Sequence, residues 1–370
     1  MARLDAAADD GLVAEDYFPG ELDGEATALG LAEAPLSRDV AAFDVRLTES
    51  ILRYFRHLHL GRVDPRALGF HLDHRIEPHD FPAVLDTALA RGSLDHTIAG
   101  LRPAFVHYGA LKKALQEHRG RDLARARQIE LAMERLRWLP DFEGQRLIVV
   151  NIPTFYVWGW DVERSDGIPA IRMPAIIGRA GLTKTPIFTA AMTSILFNPF
   201  WNVPDSIVRN EILPALARDS DYLRRHHMEM IETGGTPRIR QLPGPWNALG
   251  RIKFDLPNPY DVYLHGTPAP ELFNKPRRDF SHGCVRVQDP IALAEWLLKG
   301  QDDWTRSRIL TAIERGTSSR VALAPPPRVV IFYMTAEFVP ADSTVRFAED
   351  IYGHDARLDT WLRARVERGE

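Results

Sequence analysis

Cysteine is nearly absent from this chain: among 370 residues there is one, Cys284. A single cysteine excludes any internal disulfide, so the fold has no covalent staples. In an oxidising compartment such a thiol is either shielded or put to chemical use. No apolar run is long enough to span a bilayer, and no charged-then-apolar leader opens the chain at Met1-Ala2-Arg3-Leu4-Asp5. Positive charge is not in excess either. A formal net charge of −4 gives no support for nucleic-acid binding, which shows as a basic face. What remains is a globular composition, 45% hydrophobic and 26% charged, with length for one large or two ordinary domains.

The lone cysteine sits in a dense motif. Tyr263-Leu264-His265-Gly266-Thr267-Pro268 is followed, after a loop, by Phe280-Ser281-His282-Gly283-Cys284-Val285-Arg286-Val287. Three readings compete. The thiol is a small buried hydrophobe with incidental histidines; or Cys284, His265 and His282 hold zinc; or Cys284 is a nucleophile activated by an imidazole. A structural zinc site wants four ligands, commonly with paired cysteines, and no second cysteine exists. The bland reading leaves Ser-His-Gly-Cys in series unexplained, because a glycine beside a thiol permits close backbone approach or a sharp turn. The nucleophile reading uses every residue and is preferred. Either histidine can serve: His265 lies within easy reach of a folded-back chain, and His282 would share a face with Cys284 in an extended strand.

His-Gly-Thr-Pro followed by Ser-His-Gly-Cys-Val-Arg resembles the signature of L,D-transpeptidases with a YkuD-type catalytic domain. The words around it, Pro243-Gly244-Pro245-Trp246-Asn247-Ala248-Leu249-Gly250 leading to Ile252-Lys253-Phe254 and Pro257-Asn258-Pro259, resemble the large periplasmic members of Gram-negative bacteria. The likeness runs from about Arg121 to the C-terminus and more weakly through the N-terminal helices. Many such members carry a separate peptidoglycan-binding insert. This chain departs from them, since no such insert fits between His118 and Asp122.

The expected class is α+β: a helical scaffold followed by a mainly-β, YkuD-type sandwich with a helical capping insert. Residues 1–38, acidic and rich in Ala and Gly, read as a loose arm. Residues 39–140 read as the helical scaffold. Leu47, Ile51, Tyr54, Phe55 and Leu58 recur at helical spacing before Gly61, and further helices are expected over 82–90, 103–118 and 122–138. Residues 141–370 read as the catalytic domain, opening with strands over 146–150, 154–160 and 170–177. Trp158 and Trp160 are taken as sheet packing. Residues 204–245 read as the cap, with helices over 205–217 and 221–231 and hinges at Gly234 and Gly235. His226-His227-Met228-Glu229 lacks the spacing that puts two metal ligands on one helical face. Helices over 290–299 and 302–315, strands over 329–338 and 344–347, and a helical tail complete the chain.

The resemblance implies acyl transfer through a thioester, with no metal and no cofactor. Cys284 is then the nucleophile, His265 the base, and the Gly266 carbonyl orients the ring. Amides around His282, Gly283 and Cys284 form the oxyanion site, with His282 in support. Arg286, Ser281, Trp246, Asn247 and Tyr263 are expected at the substrate, with Tyr260 a further lining residue. Arg286 pairs either with a substrate or loop carboxylate or with a scaffold ion partner, and the alternative reading of Trp246, Asn247, Tyr260 and Tyr263 is as packing residues. The implied partners are peptidoglycan stem peptides as donor and acceptor, with carbapenems as inhibitors and no nucleic acid or membrane span. Diaminopimelate would be the donor residue; a 3-3 link, a 1-3 link or hydrolysis depends on the acceptor. The expected location is periplasmic, the export signal having been removed. Two other classes compete. A papain-like hydrolase places its histidine after the cysteine, the reverse of the order here. A catalytically silent wall-binding protein would be expected to lack one of the pair, and both are present.

Overall fold

A computed structural model of the chain describes residues 2–31, 36–73, 79–142, 144–161, 167–233, 236–301 and 303–368. Two compact units emerge: Met1–Glu143 with Arg164–Ile168 and Tyr333–Glu370, and Gly144–Glu163 with Pro169–Phe332.

The first unit is helical. Its longest helix, Ser37–Leu60, buries Tyr54, Phe55 and Leu58 at the expected spacing, and Gly61 ends it with φ of 83° and an N–H donated to the His57 carbonyl. Phe81–Ala90 starts where the Asp80 carboxylate accepts the Ala83 N–H. Leu123–Arg137 is capped in the same way by Asp122 and buries Ile129, Met133 and Leu136. Leu94–Leu101 is a helix that the sequence reading passed over.

The loose arm expected over 1–38 is not what the structure holds. Helical pieces run through Ala2–Asp5, Ala6–Asp10, Ala14–Tyr17 and Pro19–Leu31. Leu4, Ala7, Leu12, Tyr17 and Leu22 enter the same core as Tyr54, Phe55 and Leu58. Short α and 3-10 pieces in alternation keep no single period, so the anchoring residues are invisible to a periodicity test. The C-terminal expectation also changes. The hairpin Ala336–Val339 with Thr344–Phe347 and the helix His354–Arg368 group with the helical unit rather than the sheet. Arg135 and Arg127 on helix Leu123–Arg137 pair with Asp355 and Asp359 at 2.5 Å each, which ties that end of the chain to this core.

The second unit is built on strands. In chain order these are β1 Leu147–Asn151, β2 Tyr156–Trp160, β3 Ile171–Gly178, β4 Phe188–Ala191 and β5 Ser194–Phe197. Next come β6 Trp201–Asn202, β7 Met228–Thr233, β8 Thr236–Gln241, β9 Ile252–Asp255, β10 Leu264–His265, β11 Asp279–Ser281, β12 Val285–Val287, β13 Ser319–Ala322 and β14 Arg328–Phe332. Where two facing sheets were expected, eleven strands share one hydrogen-bonded path, β13-β5-β9-β10-β12-β3-β2-β1-β14-β4, with β11 beside β3. Most neighbours are antiparallel; β10 and β12, which bear the motif, are parallel. Trp158 is buried and stacked on Trp160 at 6.2 Å between ring centres, so both are packing residues as expected.

The insert is only partly helical. Asp205–Leu216 is helical throughout, with a π-turn over Val208–Ile212. The helix expected over 221–231 is cut short at Tyr222–Arg225, and Met228–Thr233 is strand β7, paired antiparallel with β8, whose other edge pairs with β6. Long polar side chains gave this stretch helix propensity, but a small core of Val203, Ile212 and Ile239 decides for a sheet. The hinge positions Gly234 and Gly235 lie outside the described residues.

Candidate active site

Register puts the motif on one face of the sheet. In the parallel pair, Leu264 faces Val285 and His265 faces Arg286, and the Val285 N–H donates to the Tyr263 carbonyl at 3.1 Å. Leu264, Val285 and Val287 are fully buried on the core side. By strand alternation Tyr263, His265, Cys284 and Arg286 point the other way together. Lys253 of β9 lies opposite His265 and joins the same face, its ammonium 4.1 Å from the centre of the Tyr263 ring and 2.7 Å from Asp255.

The thiol is carried by a sharp turn. Gly283 has φ of 119°, which a side chain would strain. Ser281 is buried; its hydroxyl donates to the Cys284 carbonyl at 2.5 Å and accepts the Gly283 N–H at 3.2 Å. The loop after β3 grips the turn from the other side. The Thr183 hydroxyl donates to the Ser281 carbonyl at 2.9 Å and the Thr185 hydroxyl to the Gly283 carbonyl at 2.8 Å. That loop folds tightly because a Cβ on Gly178 would stand 2.0 Å from the Thr183 carbonyl. The Cys284 Sγ itself donates to the Asp261 carbonyl at 3.6 Å. Asp261 is left-handed, with φ of 54°, in a loop whose backbone is bonded four times by the Asn258 side chain.

Burial acts against the charged form of both Cys284 and His265. Burial pushes the Cys284 thiol above its ordinary value, against bonds from Tyr263 and the charges of Lys253 and Arg286. Burial, reinforced by the Arg286 charge, pulls the His265 imidazole down to about 3. Carbonyls of Gly266 and Leu249 act on the ring in the direction that favours its charge, while Nδ1 makes no aligned hydrogen bond. Gly250 permits this arrangement: with φ of 66°, a Cβ there would stand 2.7 Å from the Thr267 nitrogen.

The other expected residues separate into groups. Tyr263 is beside the thiol. Trp246 is 42% exposed and stacks on His227 at 3.8 Å, which leaves it available to a ligand. His282 does not take the extended geometry that would bring it alongside Cys284, because the chain bends at Gly283. Its Nε2 instead meets the Glu211 carboxylate of the insert at 2.8 Å. Two expectations of substrate contact are corrected. Ser281 spends its hydroxyl inside the turn. Asn247 is fully buried; its amide donates to the carbonyls of Pro199 and Leu242 at 3.0 Å each, and its oxygen accepts the Leu249 N–H at 2.8 Å. It builds the loop that delivers the Leu249 carbonyl to His265. Arg286 has no ion-pair partner among the described residues. Asn258, Asp261, Lys253 and Glu211 were missed by sequence reasoning. Only Asn258, as an Asn-Pro turn signal, carried a mark that could have found it. Among the described residues no group of three or more His, Cys, Asp or Glu is arranged to hold a metal. No described helix is long and apolar enough to cross a membrane.

Comparison with known proteins adds independent support. A model of the YkuD L,D-transpeptidase catalytic domain matches residues 145–313, and a Scaffold domain model matches residues 1–115. The second match begins at residue 1, in keeping with the packed helical pieces found there. A Haemophilus influenzae protein named "Putative L,D-transpeptidase" is 30% identical over 249 residues, 62% of this chain and 49% of that one. The chain thus spans about half the length of this curated relative. Among solved structures, an L,D-transpeptidase from Mycobacterium smegmatis shares 12% identity, covering 51% of this chain and 58% of that one, with a TM-score of 0.26. The Ldtfm–avibactam carbamoyl enzyme shares 14% identity, covering 52% and 51%, with a TM-score of 0.22. At those scores neither structure carries weight in the reading. Residues 145–313 thus carry the match to the YkuD L,D-transpeptidase catalytic domain, and residues 1–115 before them carry the match to the Scaffold domain.

Proposed function

We propose that this protein is a peptidoglycan L,D-transpeptidase that works through a Cys284 thioester. The observation that supports it most is the shared sheet face of Cys284 and His265 above a glycine turn that offers backbone amides. In this reading the Cys284 sulfur adds to the carbonyl of an L-centre–D-residue peptide bond while its proton passes to His265. The turn's backbone amides other than that of Gly283, whose N–H is donated to the Ser281 hydroxyl, hold the oxyanion. The C–N bond breaks, His265 returns the proton to the departing amine, and a thioester remains. An acceptor amine then attacks the thioester, His265 takes its proton, and the thiol is regenerated. Because burial acts against the charged form of both groups, proton transfer and carbon–sulfur bond formation go together, so the charge appears only as the transition state forms.

A periplasmic location and a diaminopimelate donor belong to the same proposal. Incubation with tetrapeptide-bearing sacculi followed by muropeptide analysis tests it. New 3-3 or 1-3 links support the proposal, and shortened stems alone would make the protein a carboxypeptidase. Intact-mass measurement after carbapenem exposure gives the quicker answer: an adduct on Cys284, absent from Cys284→Ser, is expected. No adduct and no altered muropeptide would overturn the reading.

A further inference from the structure

Two guanidinium groups near the nucleophile have no counter-ion among the described residues. Arg286 stands on the thiol's face, opposite His265 in register, and its buried Nε makes no hydrogen bond. Arg179 directly follows β3, with its backbone N–H on the Ser281 carbonyl at 3.1 Å. Neither side chain makes a hydrogen bond or ion pair with another described residue. Burial, and then the like charge of Arg179, pull Arg286 below its ordinary value; only the Cys284 sulfur acts the other way. Elsewhere in the chain, buried Arg62, Arg135 and Arg137 meet the carboxylates of Asp16, Asp355 and Glu134, and buried Arg278 donates to three backbone carbonyls. An uncompensated, partly desolvated cation is costly, and an incoming anion would relieve that cost. The fork of a guanidinium matches a carboxylate through two parallel bonds.

We propose that Arg286, assisted by Arg179, binds a carboxylate of the peptide donor and so selects peptides with a free carboxylate near the scissile bond. The inference rests on the transpeptidase reading and deepens it. Two carboxylates have the right chemistry: that of the departing C-terminal D-residue, and the side-chain carboxylate of the donor diamino acid.

The test uses the full chain as Cys284→Ser, with binding of three peptides measured by calorimetry. One peptide has both carboxylates free, one is a C-terminal carboxamide, and one is amidated at the donor side chain. Amidation of the recognised carboxylate should weaken binding roughly ten- to hundredfold, and the affected peptide identifies which carboxylate is read. Adding Arg286→Gln should abolish the difference, Arg286→Lys should restore part of it, and Arg179→Gln should reduce it less. Arg179 is exposed, so its variant answers even if Arg286→Gln does not fold. Equal binding of all three peptides, binding of none, or a difference that survives Arg286→Gln would overturn the proposal. Carbapenem acylation of unaltered Cys284 reports separately on the reaction class.

Discussion

In the helical unit, Asp10 is surrounded by Arg102 at 2.8 Å, Lys112 at 3.0 Å and the Tyr108 hydroxyl at 3.3 Å. Burial pushes its carboxyl up, but these bonds and charges outweigh it and hold the group below its ordinary value. On the sheet face of the other unit, Arg286 meets no carboxylate among the described residues, and neither its Nε nor His265 Nδ1 makes a hydrogen bond. Buried charges in the first region meet opposite charges, although Arg135 Nε and Nη2 and Arg137 Nε make no hydrogen bond; on the sheet face Arg286 meets no opposite charge among the described residues. Satisfied networks hold a structure rigid; unsatisfied groups mark where a ligand completes the site.

The contrast can be broken at several points. The largest effect should come from the base. His265→Ala is expected to slow Cys284 acylation by about 10²–10⁴-fold, the usual worth of a general base, as read by intact mass against time. His282→Ala, which loses only the Glu211 contact, should cost about tenfold or less; equal losses would erase the division of roles. Next comes the satisfied region. Asp10→Ala strands Arg102 and Lys112 and should destabilise the protein by about 3–5 kcal/mol in denaturant unfolding. Arg286→Gln removes a cation that lacks a partner and should change stability by less than about 1 kcal/mol. If Arg286→Gln is the worse of the two, the contrast is false.

Asn247→Ala refines the picture. It removes buried bonds to three backbone groups and should cost about 1–3 kcal/mol, with slower acylation although the side chain never meets substrate. The smallest effect is in acid. His265 and His107 are buried neutral, with values drawn from 6.5 down to about 3 and about 4. The unfolded chain binds these protons first, so their contribution is intact above about pH 6.5 and is lost as pH falls toward those lower values. His265→Gln should flatten this slope in thermal melts between pH 6 and 4; an unchanged slope would remove His265 from the account.

Much of the site was legible because chemistry and spacing coincide in it. Cys284, His265 and Gly283 sit in short words of unusual composition, and a strand period of two puts Cys284 and Arg286 on one face. The caps of Asp80, Asp122 and Gly61 were legible for the same reason: each satisfies a local backbone need within a few residues. What could not be read depends on distant partners. Asn247 looks like a cleft residue until three carbonyls close around it, and Met228–Thr233 looks helical until β8 pairs with it. The first thirty residues hid their anchors in short pieces without a common period.

The most direct test of the central claim follows Cys284 acylation against pH in the unaltered protein and in His265→Ala. Neutral imidazole accepting the thiol proton during attack predicts efficient acylation near pH 7 in the unaltered protein. It also predicts a deep loss in the variant that shrinks at alkaline pH, where the thiol ionises unaided. Equal rates at pH 7, or a loss that alkaline pH does not relieve, would contradict it.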